Sequence, residues 1–258
     1  MRLKLTLLLC LITLAVNAAY CETYNEFVEK AKARYSAFQS QVSDVTMVQE
    51  SKMMTANGDI PVETKIFIKD KKFRAESNMN MGQNVPGMPA MTTTIISDGK
   101  EAWMYSPVIG KKQLSLSDQS QYQDKSSWWS LMSDKAQITG EENVGGRSCH
   151  VIEAKPNKQN MFKKIWIDKN LFTLVKADAQ TENNDTITMV FSDFKSTSGD
   201  WEMPYKTDMY INGQQISVTF VKSIELNKGV SDDLFDVNQL KSKESGNIND
   251  LLAGAGMN

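Results

Sequence analysis

The sequence predicts a mainly β (α+β) fold: a strongly curved antiparallel sheet, a meander or partly open barrel, carrying an N-terminal helix and a lid helix. Three observations predict it. Six segments of the second half (149–154, 162–167, 172–180, 186–194, 205–211 and 216–226) are strand-like and bounded by turn residues. Asp98-Gly99 and Asn212-Gly213 are dipeptides that accept the positive φ angles of tight hairpin turns. Helical spacing of apolar residues is confined to 24–38 and 119–135. Long strands in sequence order with so few helices form a bent meander rather than a parallel α/β sheet.

The chain opens as an export signal. Arg2 and Lys4 precede an apolar run from Leu5 to Val16, and Val16-Asn17-Ala18 has the small-residue pattern of a cleavage site. Cleavage near Ala18 leaves residues 19–240 as one domain and 241–258 as a polar, Gly-containing tail. The apolar run is shorter than the ~20 residues that span a bilayer. Without Arg2 and Lys4, 27 of the 29 basic residues face 31 acidic ones. So even a balance, with no basic stripe, excludes a nucleic-acid partner.

Between 24 and 38, Phe27, Ala31, Tyr35 and Phe38 recur at helical spacing and form an aromatic stripe for the sheet. From Val42 the period becomes two, placing Val45 and Met47 on one face. Asn57-Gly58-Asp59 marks a turn. Val62, Thr64, Ile66 and Ile68 then alternate with Glu63, Lys65, Phe67 and Lys69, and Asp70-Lys71-Lys72 turns the chain into a strand from Phe73 to Met79.

The hairpin at Thr92–Pro107, TTTIISDGKEAWMYSP, organises the first half. A two-residue turn at Asp98-Gly99 sets Ile95 opposite Ala102, Thr93 opposite Met104 and Thr94 opposite Trp103; a three-residue turn would shift the register by one. Large apolar groups on both surfaces predict a pair central in the sheet and covered on both sides. ISDGK, Glu101-Ala102-Trp103 and Tyr105-Ser106-Pro107 resemble the central hairpin of LolA-type lipoprotein carriers and the wider group of outer-membrane lipoprotein-sorting proteins. Lys71-Lys72-Phe73-Arg74-Ala75-Glu76 is similar to that group's preceding strand. Glu225-Leu226-Asn227 through Asp233-Leu234-Phe235 is similar to its closing segment, with Leu234 and Phe235 as plugs at the sheet edge. The resemblance spans roughly residues 24–237 and is diffuse between Lys111 and Met203.

The resemblance implies an open half-barrel around the helix and lid, in the periplasm. It also implies a monomeric carrier that shields lipoprotein acyl chains or other lipids between membrane-bound donor and acceptor proteins. The same fold serves as a glycolipid binder and as a sensor domain in envelope stress signalling, an alternative reading here. Cavity-lining candidates, chosen by apolar face, are Ile66, Ile68, Met79, Met81, Met104, Trp128, Ile165, Met189 and Phe191. Arg74 is a candidate ion-pair partner for the lid.

Fifteen methionines, crowded into the first half, open a second chemistry. Residues 78–91, NMNMGQNVPGMPAM, carry Met79, Met81, Met88 and Met91 among helix- and strand-breaking Gly and Pro. Thioethers suit copper(I). They also make an adaptable apolar surface over a lipid pocket, and with no His or Cys close in sequence the apolar reading is preferred. In the predicted lid helix, Tyr122, Trp128, Trp129, Leu131 and Met132 are the apolar members. Adjacent tryptophans diverge by about 100°, so one ring is left to solvent or ligand.

No cofactor or catalytic set is expected. G-x-S-x-G, H-E-x-x-H, Walker A and C-x-x-C motifs are absent. His150 adjoins Cys149, but neighbours on a strand point to opposite faces and cannot form a dyad without a bulge. Asp232-Asp233 after Ser231 reads as capping material. Cys21 could carry a lipid, although Tyr20 is a large residue for the position before a lipidated cysteine. It could instead pair with Cys149, adding roughly 4–5 kcal/mol in the loop-entropy account, or both thiols could stay free.

Overall fold

The computed structural model describes residues 22–80, 90–115, 127–133, 135–155, 161–198 and 201–240. The signal segment, Cys21, Met81, Met88 and the tail from 241 lie outside these residues, as does most of the 119–135 segment.

Helix α1 (Tyr24–Gln39) starts at a capping box. The Thr23 hydroxyl accepts from the Glu26 N–H at 3.3 Å, and the Glu26 carboxylate accepts from the Thr23 N–H at 2.9 Å. Six strands follow: β1 (Asp44–Thr55), β2 (Gly58–Lys69), β3 (Lys72–Met79), β4 (Met91–Ser97), β5 (Ala102–Ser106) and β6 (Gly110–Gln113). Seven more complete the sheet: β7 (Gln137–Val144), β8 (Arg147–Glu153), β9 (Phe162–Asp168), β10 (Leu174–Gln180), β11 (Thr186–Ser198), β12 (Trp201–Ile211) and β13 (Gln214–Leu226).

Each group is an antiparallel meander, and β1 pairs with β13, so both belong to one sheet of order β6-β5-β4-β3-β2-β1-β13-β12-β11-β10-β9-β8-β7. The edges β6 and β7 do not meet, and the result is an open half-barrel with α1 on its inner face. Tight turns hold the register where left-handed backbone is available. Asn212 and Gly213 both have positive φ (49° and 83°) and place Ile211 opposite Gln214.

The core lies under the first half of α1. Phe27 and Ala31 meet Ile152, Ile165, Ile167 and Ala177 of β8–β10. On the outer face the segment after β13 forms a strap. Phe235 and Leu240 pack on Ile96 of β4, and cations from the sheet donate to main-chain carbonyls: Lys69 to Val230 at 3.1 Å, Arg74 to Leu234 at 2.9 Å and Lys111 to Val237 at 2.8 Å. Asp232 bridges Lys69 and Lys72, and Ser231 caps this turn by accepting from the Asp233 N–H. The closing segment therefore covers a face rather than an edge.

The hairpin forms where the sequence put it, with two corrections. It sits beside the β6 edge, not centrally, and its register differs by two: Ser97 faces Ala102, Ile96 faces Trp103, Ile95 faces Met104 and Thr94 faces Tyr105. The cause is Asp98. Its carboxylate accepts from the N–H groups of Lys100 and Glu101, each at 2.8 Å, and its own N–H donates to the Glu101 carbonyl, closing a four-residue loop. A shift of two preserves the faces. Elsewhere the β1–β2 turn is Ala56-Asn57, the 110–112 turn is the start of β6, and β7, with two Glu and one Gly, was not anticipated. Within the predicted lid helix, the described part is one 3-10 turn, Trp128–Leu131.

Candidate ligand cavity

Past Ala31 the helix and sheet separate. Between them lies a cavity of about 930 Å³. Val45, Met47, Ile68 and Phe73 of β1–β3 form one wall; Leu174, Phe191 and Met203 of β10–β12 form the other. Tyr35 and Phe38 of α1, with Trp128 and Trp129, form the roof.

The roof is a continuous run of aromatic rings. Phe27 packs on Trp128 (centroids 5.6 Å apart), Trp128 meets Trp129 edge-on (5.5 Å, 78°), and Trp129 meets Tyr35 edge-on (5.6 Å, 77°). Tyr35 touches Trp201 at 5.4 Å, and Phe38 stacks on Trp201 at 4.9 Å and 14°. Each such pair contributes about 0.5–1.5 kcal/mol beyond area burial. Exposure rises along the run: Phe27 is 0% and Trp128 5% exposed, whereas Trp129, Tyr35, Phe38 and Trp201 are only half-buried.

Trp128 is further fixed by its indole N–H, which donates to the Phe172 carbonyl at 2.9 Å. Phe172 has φ 57°, an outlier for a bulky residue, with a typical strain of ~1–3 kcal/mol. Its turn is held by the Asp168 carboxylate, which accepts from the Asn170 and Leu171 N–H groups at 2.8 and 2.9 Å.

The lining also carries charge, at Asp44, Asp70, Lys71, Lys72 and Glu202. Glu202 accepts from Arg147 at 2.8 Å, and that guanidinium also reaches Asp168 and lies 4.0 Å over the Phe194 ring. Burial pushes the Asp44 carboxyl up, but hydrogen bonds from Ser43 and from the N–H groups of Lys228, Gly229 and Val230 outweigh it and leave its pKa lowered. Gly99 brings the β4–β5 loop against β2–β3: a Cβ there, at φ +90°, would meet the Lys71 Cβ at 3.2 Å.

A family model described as "-like: Uncharacterized protein" matches residues 79–242, more than half of the chain. No curated protein sequence matches. Among solved structures, a domain described as an outer membrane lipoprotein-sorting protein from Vibrio parahaemolyticus superposes with a TM-score of 0.59 at 17% identity, covering 83% of this chain and 97% of that one. A LolA superfamily protein from Nitrosomonas europaea gives 0.52 at 15% identity, covering 85% and 100%. The chain belongs to the family of that model, and its fold is LolA-like. A DUF1329 family protein from Desulfovibrio piger is similar to a like degree, 0.57 at 16% identity over 82% of this chain and 98% of that one. At these identities the likeness is one of fold.

In this LolA-like half-barrel the sequence-derived residues fall into groups. Ile68, Trp128 and Phe191 line the cavity. Ile66, opposite Met47, and Met104, opposite Ile95, continue the same sheet face beyond it. Met79 lies further along that face, paired with Met91. Ile165 is fully buried and Met189 packs beside it, so both belong to the core rather than the cavity wall. Met81 lies outside the described residues. Strand alternation turns Arg74 to the outer face, where it pairs with Glu76 at 2.6 Å and donates to the Leu234 carbonyl of the strap.

Tyr35, Phe38, Trp129 and Trp201 were not among the candidates. The helical period marks Tyr35 and Phe38 as apolar but does not say whether the sheet reaches them. Trp201 follows Gly199-Asp200 in the sequence and carries no signal of its own.

Cys149 and His150 face opposite ways. Cys149 is a free thiol buried among Val151, Trp166 and Val175, pushed up to about 11 chiefly by burial. His150 lies edge-on against Phe27 at 4.8 Å. Among the described residues, no group of three His, Cys, Asp or Glu side chains could hold a metal ion, and no helix is long and apolar enough to cross a membrane.

Proposed function

We infer that the protein is an exported, non-enzymatic carrier that holds the acyl chains of lipoproteins or other lipids inside the half-barrel and ferries them towards the outer membrane. The observation that carries this reading is the unfilled 930 Å³ between α1 and the sheet, walled by apolar side chains. At about 30 Å³ for a water-sized group, that volume takes roughly thirty methylenes, enough for two long chains. Each methylene withdrawn from water is worth about 0.8 kcal/mol, so a mainly apolar cavity gives a carrier the affinity it needs. Transfer then requires only an acceptor cavity of comparable affinity. The charged export segment and the LolA-like fold support a periplasmic site of action, with membrane-bound donor and acceptor proteins.

Native mass spectrometry of gently purified protein, followed by lipid extraction, tests the reading. Co-purifying diacyl lipid or acylated protein is the expected result. Absence of lipid, together with failure to bind cis-parinaric acid, would overturn it. The pairing of Met79 with Met91 on neighbouring strands keeps the copper(I) reading open to the same spectrum: bound copper lost on Met79 substitution would favour it.

A further inference from the structure

We propose that the ring stack of Tyr35, Phe38 and Trp201 is the gate of the cavity, through which apolar chains pass between the second half of α1 and the start of β12; this rests on the carrier reading above. The two halves of α1 are held differently. The first half is anchored by its capping box, by Glu22, which pairs with Lys30 and meets His150 Nε2 at 3.3 Å, and by the buried Phe27, Val28 and Ala31. Over the cavity, the second half meets the far wall through ring contacts: Phe38 on Trp201, Tyr35 on Trp201 and Tyr35 on Trp129.

On the other side the backbone is fixed. Trp201 opens a strand paired along its length with β11, the Thr197 hydroxyl donates to the Trp201 carbonyl at 3.3 Å, and the neighbouring Glu202 is held by Arg147. Motion at the seam therefore falls on the rings themselves, because the chain just past the end of α1 at Gln39 is also held: Asn227 donates to the Gln41 carbonyl at 2.8 Å and accepts from the Ser43 N–H at 2.7 Å. The Phe38–Trp201 stack is a pair of rings that makes and breaks through side-chain rotation. That property suits a seam that must open repeatedly. All three rings also line the cavity, so an incoming chain replaces ring–ring contact with ring–chain contact as it passes.

A gate and a mere wall contact differ kinetically. Stopped-flow fluorescence with cis-parinaric acid and the full-length mature protein separates them. In Trp201→Ala, the association rate rises by about tenfold along with the dissociation rate, because both directions share the barrier, and the rise in association is the readout that a lining contact alone does not give. Trp201→Phe, which keeps a stackable ring, stays near wild type. Phe38→Ala opens the same seam from the helix side and serves if Trp201→Ala does not fold. Faster dissociation alone, with Kd weakened to match, would make Trp201 a wall residue and overturn the gate. Should the wild type bind no parinaric acid, the carrier reading fails, and the gate is decided without ligand. NMR relaxation dispersion at the Trp201 indole should show exchange between stacked and unstacked states, and a rigid stack overturns it.

Discussion

The two ends of α1 meet the same sheet with opposite results. At the first end, Phe27 and Ala31 interlock with isoleucines and alanines of β8–β10 and exclude solvent entirely. At the second, Tyr35 and Phe38 stand off from Val45, Ile68 and Phe73, and a chamber remains. The helical stripe is equally apolar throughout, so composition does not separate the halves. Sheet curvature does. Strands β8–β10 come up to the helix, whereas β1–β3 bend away, leaving rings rather than aliphatic side chains to bridge the gap. A filled half sets stability, and the unfilled half is the part that the carrier reading assigns to ligand.

Substitutions at the filled end test this division most strongly. Phe27→Ala removes a fully buried ring and should cost about 3–5 kcal/mol, seen as an early denaturant midpoint. Trp128→Ala should fall in the same range, because the ring is core as well as roof and its indole N–H bonds the Phe172 carbonyl. Loss of probe binding in that variant would thus carry a stability penalty. A stability loss below about 1 kcal/mol at either position would erase the contrast between the halves.

Ile68→Asn should do the reverse. It places an amide in the cavity wall, and parinaric acid affinity should fall about tenfold or more while stability changes by only about 1 kcal/mol. Unchanged affinity would show that ligand does not use this wall.

The smallest effect is expected outside both halves, in the strap. Hydrogen bonds from Lys69 and Lys72 lower the Asp232 carboxyl to a pKa of about 2, from 3.8. A depressed carboxyl contributes stability above its unfolded value, and that contribution disappears as pH falls through the folded value. Asp232→Asn should therefore lower Tm slightly at pH 7, with the wild-type and variant curves converging near pH 2. Curves separated by a constant offset down to pH 2 would rule out the ion pair as the source.

Much of this was legible from residues alone, but unevenly. Period-two alternation located β2 and most of the second-half strands, because one face of each is buried. It missed β7, an edge strand largely exposed on both faces, where no alternation is imposed. The Asp98-Gly99 hairpin was found while its pairing was not, since a side-chain cap rather than turn length alone sets that loop. Strand alternation puts Ile68, Phe191, Ile165 and Met189 all on the inner face; the first two lie on the cavity lining and the last two in the filled core. Alternation tells inner face from outer, but it cannot tell filled interior from empty interior.

By itself the sequence determined the local order: which segments are strands, which face of each is apolar, and where the hairpins turn. These follow from short-range steric and solvation preferences acting over a few residues. Only the tertiary structure decided that β1 joins β13, that the helix end and β12 meet through Phe38 and Trp201, and that a chamber lies between them. Those outcomes depend on the curvature and relative placement of elements more than 150 residues apart in the chain, which no local pattern encodes.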